Sequence, residues 1–167
     1  MGSPPAPASA KIKPAAALAR IVRRANARGR RVVFTNGCFD LVHAGHIQLL
    51  EHARKQGDLL IVGVNSDRSV RALKKGLGRP IVGQRDRALV LAALQSVDYV
   101  TIFNESTPQR LIERIRPDVL MKGADWGAAA IVGGDIVRRK GGRVVRFPLL
   151  KGRSTTRLIR RIRQTAA

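Results

Sequence analysis

Two histidines, His43 and His46, stand three residues apart, just after the turn Asn36-Gly37-Cys38-Phe39-Asp40. An apolar run, Val32-Val33-Phe34, leads into that turn, and an amphipathic segment with Ile47, Leu49, Leu50 and Ala53 follows it. The order reads as strand, tight loop and helix start, the place where open α/β proteins put phosphates. At i and i+3 the two imidazoles share one face of the first helical turn. Unpaired backbone N–H groups and the positive end of the helix dipole already favour an anion there. Gly45, between the histidines, leaves room for a ligand to approach the backbone. The chemistry these residues suit is the binding of a nucleoside triphosphate and the stabilisation of charge moving along it.

The elements that must position this motif can be read from periodicity and punctuation. Leu18, Ile21, Val22 and Ala25 predict a helix between Pro14 and Gly29, and Arg31–Asn36 the first strand. A helix over Ala44–Gln56 follows, then the continuous apolar run Leu59–Val64, the mark of a strand buried on both faces. Ser66 or Asp67 caps a short helix that reaches Leu73. Gln84–Gln95 reads as a helix with Leu89, Leu91, Ala92 and Leu94 inward, and Val97–Phe103 as a strand. Thr107-Pro108 opens a helix to Arg116, and Pro117–Met121 is a strand. Ile131–Lys140 is helical, Arg143–Phe147 is the last strand, and Ser154 or Thr155 caps a final helix ending near Arg163. Strand and helix alternate throughout, which predicts a parallel sheet with helices on both faces.

The chain has 167 residues, 44% of them apolar, enough for one domain with a core. Residues 1–13 read as a flexible, Pro-rich leader and 14–167 as a single domain. No apolar run reaches membrane-spanning length, and one cysteine, Cys38, excludes an internal disulfide and suits a reducing cytoplasm. The formal charge of +21 raises the prior for an anionic partner. Aromatic residues are only 4%, too few for the stacking platforms of single-strand binders. The charge is therefore read as compositional bias plus attraction for polyphosphate. A basic nucleic-acid-binding module remains the alternative from another class, and no specific nucleic-acid partner or membrane insertion is expected.

Other polar clusters end the predicted strands. Asn65-Ser66-Asp67 ends the second, and Lys122-Gly123-Ala124-Asp125 the fourth. Lys151-Gly152-Arg153-Ser154-Thr155-Thr156 follows the fifth into a helix start suited to a phosphate. Lys74-Lys75-Gly76-Leu77-Gly78-Arg79-Pro80 is a basic, glycine-rich loop.

Taken in order, these stretches, with Asp86-Arg87, Thr107-Pro108 and Pro117-Asp118-Val119-Leu120, closely resemble the cytidylyltransferase-like nucleotidyltransferases. Within that group they are similar to the D-glycero-β-D-manno-heptose 1-phosphate adenylyltransferases in their stand-alone form, over about residues 30–163. Ala124 and Trp126 depart from the family's usual glycine and tyrosine, and Gln84 from its usual acidic residue. The resemblance implies a Rossmann-like three-layer α/β sandwich with a five-stranded parallel sheet in the order 3-2-1-4-5. It implies transfer of an adenylyl group from ATP, with Mg²⁺, to a sugar 1-phosphate, in the cytoplasm, by a possible homodimer. A cytidylyltransferase acting on glycerol 3-phosphate or another polyol or sugar phosphate is the alternative within the class. On this reading His43, His46 and Lys74 are catalytic. Thr35, Asn36, Gly37, Cys38, Phe39, Arg87, Lys122, Gly123, Asp125, Ser154, Thr155 and Thr156 bind nucleotide. Asp40, Asn65, Asp67, Lys75 and Arg79 face the acceptor, and no residue is a dedicated metal ligand.

Overall fold

A computed structural model describes residues 6–73, 78–123, 131–148 and 154–165. Five parallel strands form one sheet: β1 (Val32–Gly37), β2 (Leu59–Asn65), β3 (Tyr99–Phe103), β4 (Val119–Gly123) and β5 (Arg143–Phe147). Their spatial order is β3-β2-β1-β4-β5, as the resemblance implied. The helices are α1 (Ala15–Asn26), α2 (Ala44–Arg54), α3 (Asp67–Ala72), α4 (Gln84–Ala93), α5 (Gln109–Ile115), α6 (Gly134–Arg139) and α7 (Thr155–Thr165).

The unbroken apolar runs exist because alternate residues serve two cores. Val33, Leu60, Val62, Val64, Val119 and Met121 pack with Leu50 of α2 and Leu91 of α4 on one face. Val32, Phe34, Ile61 and Leu120 pack with Leu18 of α1 and Ile112 of α5 on the other. Shifting any strand by one residue would exchange these sets, so the register is strongly specified.

Residues 8–13, part of the stretch read as a leader, carry local structure beside the sheet. Ala8–Lys11 forms a 3₁₀ turn, Ile12 bridges Val100 beside β3, and Lys11 Nζ donates to the carbonyls of Leu94 and Val97. An exposed sheet edge offers unpaired backbone groups, and this segment occupies part of that edge. In α4, Leu89 does not face inward: it is 45% exposed, and Arg87 takes the buried position beside Ala88, Leu91 and Ala92. Apolar periodicity misread this face because its largest buried side chain is an arginine with internal partners.

Three aspartates, each just ahead of a strand, close the N-terminal ends of β1 and β2 by one device. Asp58 accepts from the Arg31 N–H at 2.7 Å, Asp98 from the Leu60 N–H at 2.7 Å, and Asp118 from the Val32 N–H at 2.8 Å. Each carboxylate satisfies a leading amide that the neighbouring strand leaves open.

Candidate active site

At the other end of the sheet, connections leave β1 toward β2 on one side and β4 lies on the other. That reversal of direction opens a crevice at the strand C-termini, where doubly wound sheets take ligands. Gly37 ends β1, and a Cβ there would stand 3.1 Å from the Phe39 ring. The Phe39 backbone adopts φ +47°, a left-handed conformation uncommon for a residue with a side chain. The turn is thus tight and specific, and it delivers the chain into α2.

His43 is the N-cap of α2 and His46 its N3 residue. His43 Nδ1 accepts from the Gly45 N–H at 3.1 Å, while His46 Nδ1 faces the His43 N–H at 3.4 Å. This reciprocal arrangement is a capping box made of two imidazoles in place of the usual hydroxyl and carboxylate. The rings stack with centroids 3.9 Å apart and an interplanar angle of 24°, and Phe39 lies tilted against His46 at 5.1 Å. Both histidines are half-buried. Because each Nδ1 accepts a backbone proton, each neutral ring must carry its own proton on Nε2. Burial, then the neighbouring His43, lowers the His46 pKa to about 4, so that ring is neutral at pH 7. The result is a stacked pair of imidazoles, each with its proton on Nε2, at a helix N-terminus.

The surrounding charged residues divide sharply. Asp40 is 2% exposed and accepts from Arg79 Nε at 2.9 Å and from the Ile81 and Val82 N–H groups at 2.7 and 3.0 Å. It ties the segment after the basic loop to the turn that follows β1. Arg87 is 1% exposed; it donates to the carbonyls of Val82 and Cys38 and pairs with Asp67 at 2.6 Å. Arg87 is therefore an internal bolt between the turn, α3 and α4, and its fork is not presented to a ligand. Asp67 and Asp40 are likewise engaged with arginines.

A cleft opens beside the turn, lined by Asn36, Gly37 and Cys38 of the turn region, Asn65 of β2, and Lys122 of β4. Ser106, Thr107 and Pro108, from the loop after β3, with Leu73, Ile131 and Val132, complete it. Lys122 Nζ donates to Asn36 Oδ1 across the crevice between β4 and β1. The histidines do not line this cleft; they stand at the start of α2, on the chain just past the turn that does. Thr35 is buried within β1, and Gly123 ends β4 in register with Phe147. Ser154 Oγ accepts the Arg157 N–H as the cap of α7, while Thr155 is buried and Thr156 exposed. None of these three borders the cleft. Lys74, Lys75 and Asp125 lie outside the described residues.

Sequence reasoning missed Ser106, Ile131 and Val132, which line the cleft, and Ser69, whose Oγ accepts from the Asn65 amide. Ser69 follows Asn65 at helical spacing, but Asn65 belongs to the strand before α3, so no periodicity links them. Among the described residues no group of three or more His, Cys, Asp or Glu could hold a metal ion. With Asp40 and Asp67 already paired, the described residues do not fit a resident metal site.

An open parallel sheet with two stacked histidines just past the turn after its first strand is the architecture of a nucleotidyltransferase. The cytidylyltransferase-like family profile matches residues 34–161, and the chain belongs to that family. The bifunctional protein HldE of Geotalea uraniireducens is 54% identical over 154 residues, 92% of this chain and 31% of that protein. HldE of Magnetococcus marinus is 55% identical over 141 residues, 84% of this chain and 29% of that protein. The chain thus spans about a third of the length of these relatives. Among solved structures, the lipopolysaccharide core biosynthesis protein from Thermoplasma volcanium aligns with a TM-score of 0.62 and 27% identity. That alignment covers 75% of this chain and all of that one. Pantoate–β-alanine ligase from Francisella tularensis, 13% identical with a TM-score of 0.58, covers 87% of this chain and 68% of its own, and shares the fold alone. Among the described residues no helix is long and apolar enough to cross a membrane.

Proposed function

We propose that the domain joins ATP and D-glycero-β-D-manno-heptose 1-phosphate to give ADP-heptose and pyrophosphate. The observation that carries this reading is the stacked His43–His46 pair, whose Nδ1 atoms take the capping contacts at the start of α2. The sugar 1-phosphate oxygen attacks the α-phosphorus of ATP, the bond to the bridging oxygen breaks, and pyrophosphate leaves with that electron pair. The nucleophile is already an anion, so no covalent enzyme intermediate is needed. Catalysis then consists of positioning and charge stabilisation. His43 and His46 donate to the α- and β-phosphates as charge moves onto the bridging oxygen. The turn amides from Asn36 to Phe39 hold the phosphates. Lys122, beside Asn36 in the crevice, supplies positive charge there. Mg²⁺ enters on the triphosphate oxygens, as part of the nucleotide substrate.

The acceptor assignment rests on the ordered motifs shared with the heptose 1-phosphate adenylyltransferases and on similarity to the HldE proteins. The deciding experiment measures pyrophosphate release with ATP or CTP against heptose 1-phosphate, other sugar 1-phosphates and glycerol 3-phosphate. Turnover with ATP and the heptose ester is expected. Preference for CTP with a polyol phosphate would replace this reading with the cytidylyltransferase one.

A further inference from the structure

The cleft is unlike along its length. Toward β1 and β4 it carries Asn36 and Lys122; toward β2 and β3 it carries Asn65, Ser106 and Thr107. Asn65 is 4% exposed, and its Nδ2 donates to Ser69 Oγ at 2.9 Å. Ser69 Oγ in turn donates to the Glu105 carbonyl at 2.7 Å. A carbonyl can only accept, and a hydroxyl has one proton, so that proton is committed to Glu105. Ser69 must therefore meet Asn65 as an acceptor, which dictates that the amide turns its NH₂ toward Ser69. Oδ1 is left as the outward acceptor. No donor among the described residues reaches it, and it is not among the sealed, unpartnered side-chain atoms. An acceptor neither sealed nor matched, on a residue that lines the cleft, is open to a ligand there.

We infer that Ser69 is a positioning residue that locks Asn65 as a dedicated hydrogen-bond acceptor, and that the Asn65–Ser106–Thr107 side of the cleft reads hydroxyls of the acceptor substrate. This rests on the sugar-phosphate reading above and deepens it. A fixed amide oxygen bonds a hydroxyl and repels a phosphate oxygen, so it orients the ester. The anionic end lies toward Lys122 and the turn, and the hydroxyl-bearing end toward β2 and β3. Pro108, Ile131 and Val132 offer an apolar wall of the kind a sugar's C–H face needs.

The test uses the full chain and steady-state pyrophosphate release, varying heptose 1-phosphate at saturating ATP and then the reverse. Ser69→Ala frees the amide. It should raise the acceptor KM about tenfold while leaving the ATP KM unchanged. It should also reduce discrimination between the heptose ester and analogues lacking one hydroxyl. Thr107→Val, at an exposed position, keeps the shape and removes one hydroxyl, so it decides the matter if Ser69→Ala does not fold. Thr107→Val should raise the acceptor KM alone, by a smaller factor. Equal shifts in both KM values, or an unchanged acceptor KM, overturn the assignment. Wild-type enzyme that turns over no sugar 1-phosphate overturns the proposed function as well, and so is distinguishable from failure of the Asn65 lock alone.

Discussion

The two ends of this one sheet are built from opposite materials. At the N-terminal end, Asp58, Asp98 and Asp118 each accept a leading strand amide. At the C-terminal end, the main-chain groups of the turn, two imidazoles, Asn65 and Lys122 gather instead. A parallel sheet leaves donors at one end and acceptors at the other, so acids suit the first end. Polar groups that receive phosphates and hydroxyls suit the second. The acidic residues that do occur near the C-terminal end, Asp40 and Asp67, are neutralised by Arg79 and Arg87. The carboxylates therefore hold the fold together, and on the proposed function the neutral and basic groups meet ligand.

That division can be broken experimentally. The largest effect is expected at the bolt beneath the turn. Arg87→Met takes the partner from the half-buried Asp67 and from the carbonyls of Cys38 and Val82. It should destabilise the protein by about 3–5 kcal/mol in denaturant melts, with activity lost along with the fold. Arg160→Ala, on the exposed face of α7, should change the same melt by less than about 0.5 kcal/mol. Comparable losses in both would show that arginine burial does not separate the two roles.

His46→Ala and Asp118→Ala sharpen the contrast between the ends. The first removes a donor from the phosphate site and should lower kcat on the order of 10²–10³ with a native circular-dichroism spectrum. The second removes the partner of the Val32 amide, of Asn26 and of Lys140. It should cost about 1–3 kcal/mol of stability and leave the kcat of the folded fraction unchanged. A variant at position 46 with near-normal turnover would refute the assigned role.

An effect seen only on acidification follows from the His46 pKa of about 4 in the folded chain against an ordinary value near 6.5. Between those values the unfolded chain binds a proton that the folded chain refuses. Stability is intact above pH 6.5 and falls as pH drops toward 4, by about 1.4 kcal/mol per pH unit from this group. His46→Gln should flatten that part of the pH–stability curve. An identical slope in wild type and variant would remove the histidine from the account.

Much of this was legible in the chain itself. The order of elements followed from apolar runs and turn residues, because both faces of the central strands must be filled. The spacing of His43 and His46 marked the start of α2 and their common face, since i and i+3 residues at a helix start are neighbours. Local rules reach that far because they depend on neighbours within a few positions. Which cations are available was not legible. Arg87 and Arg79 read like Lys122 or Arg160 in sequence, and only the packing of distant segments decides which of them meet carboxylates and carbonyls. The same holds for Asn65, whose amide orientation is decided by Ser69 and by the Glu105 carbonyl, brought to it by the pairing of β2 with β3. Periodicity specifies which residues lie on a common face. Long-range contact alone determines which polar atoms are left for a ligand.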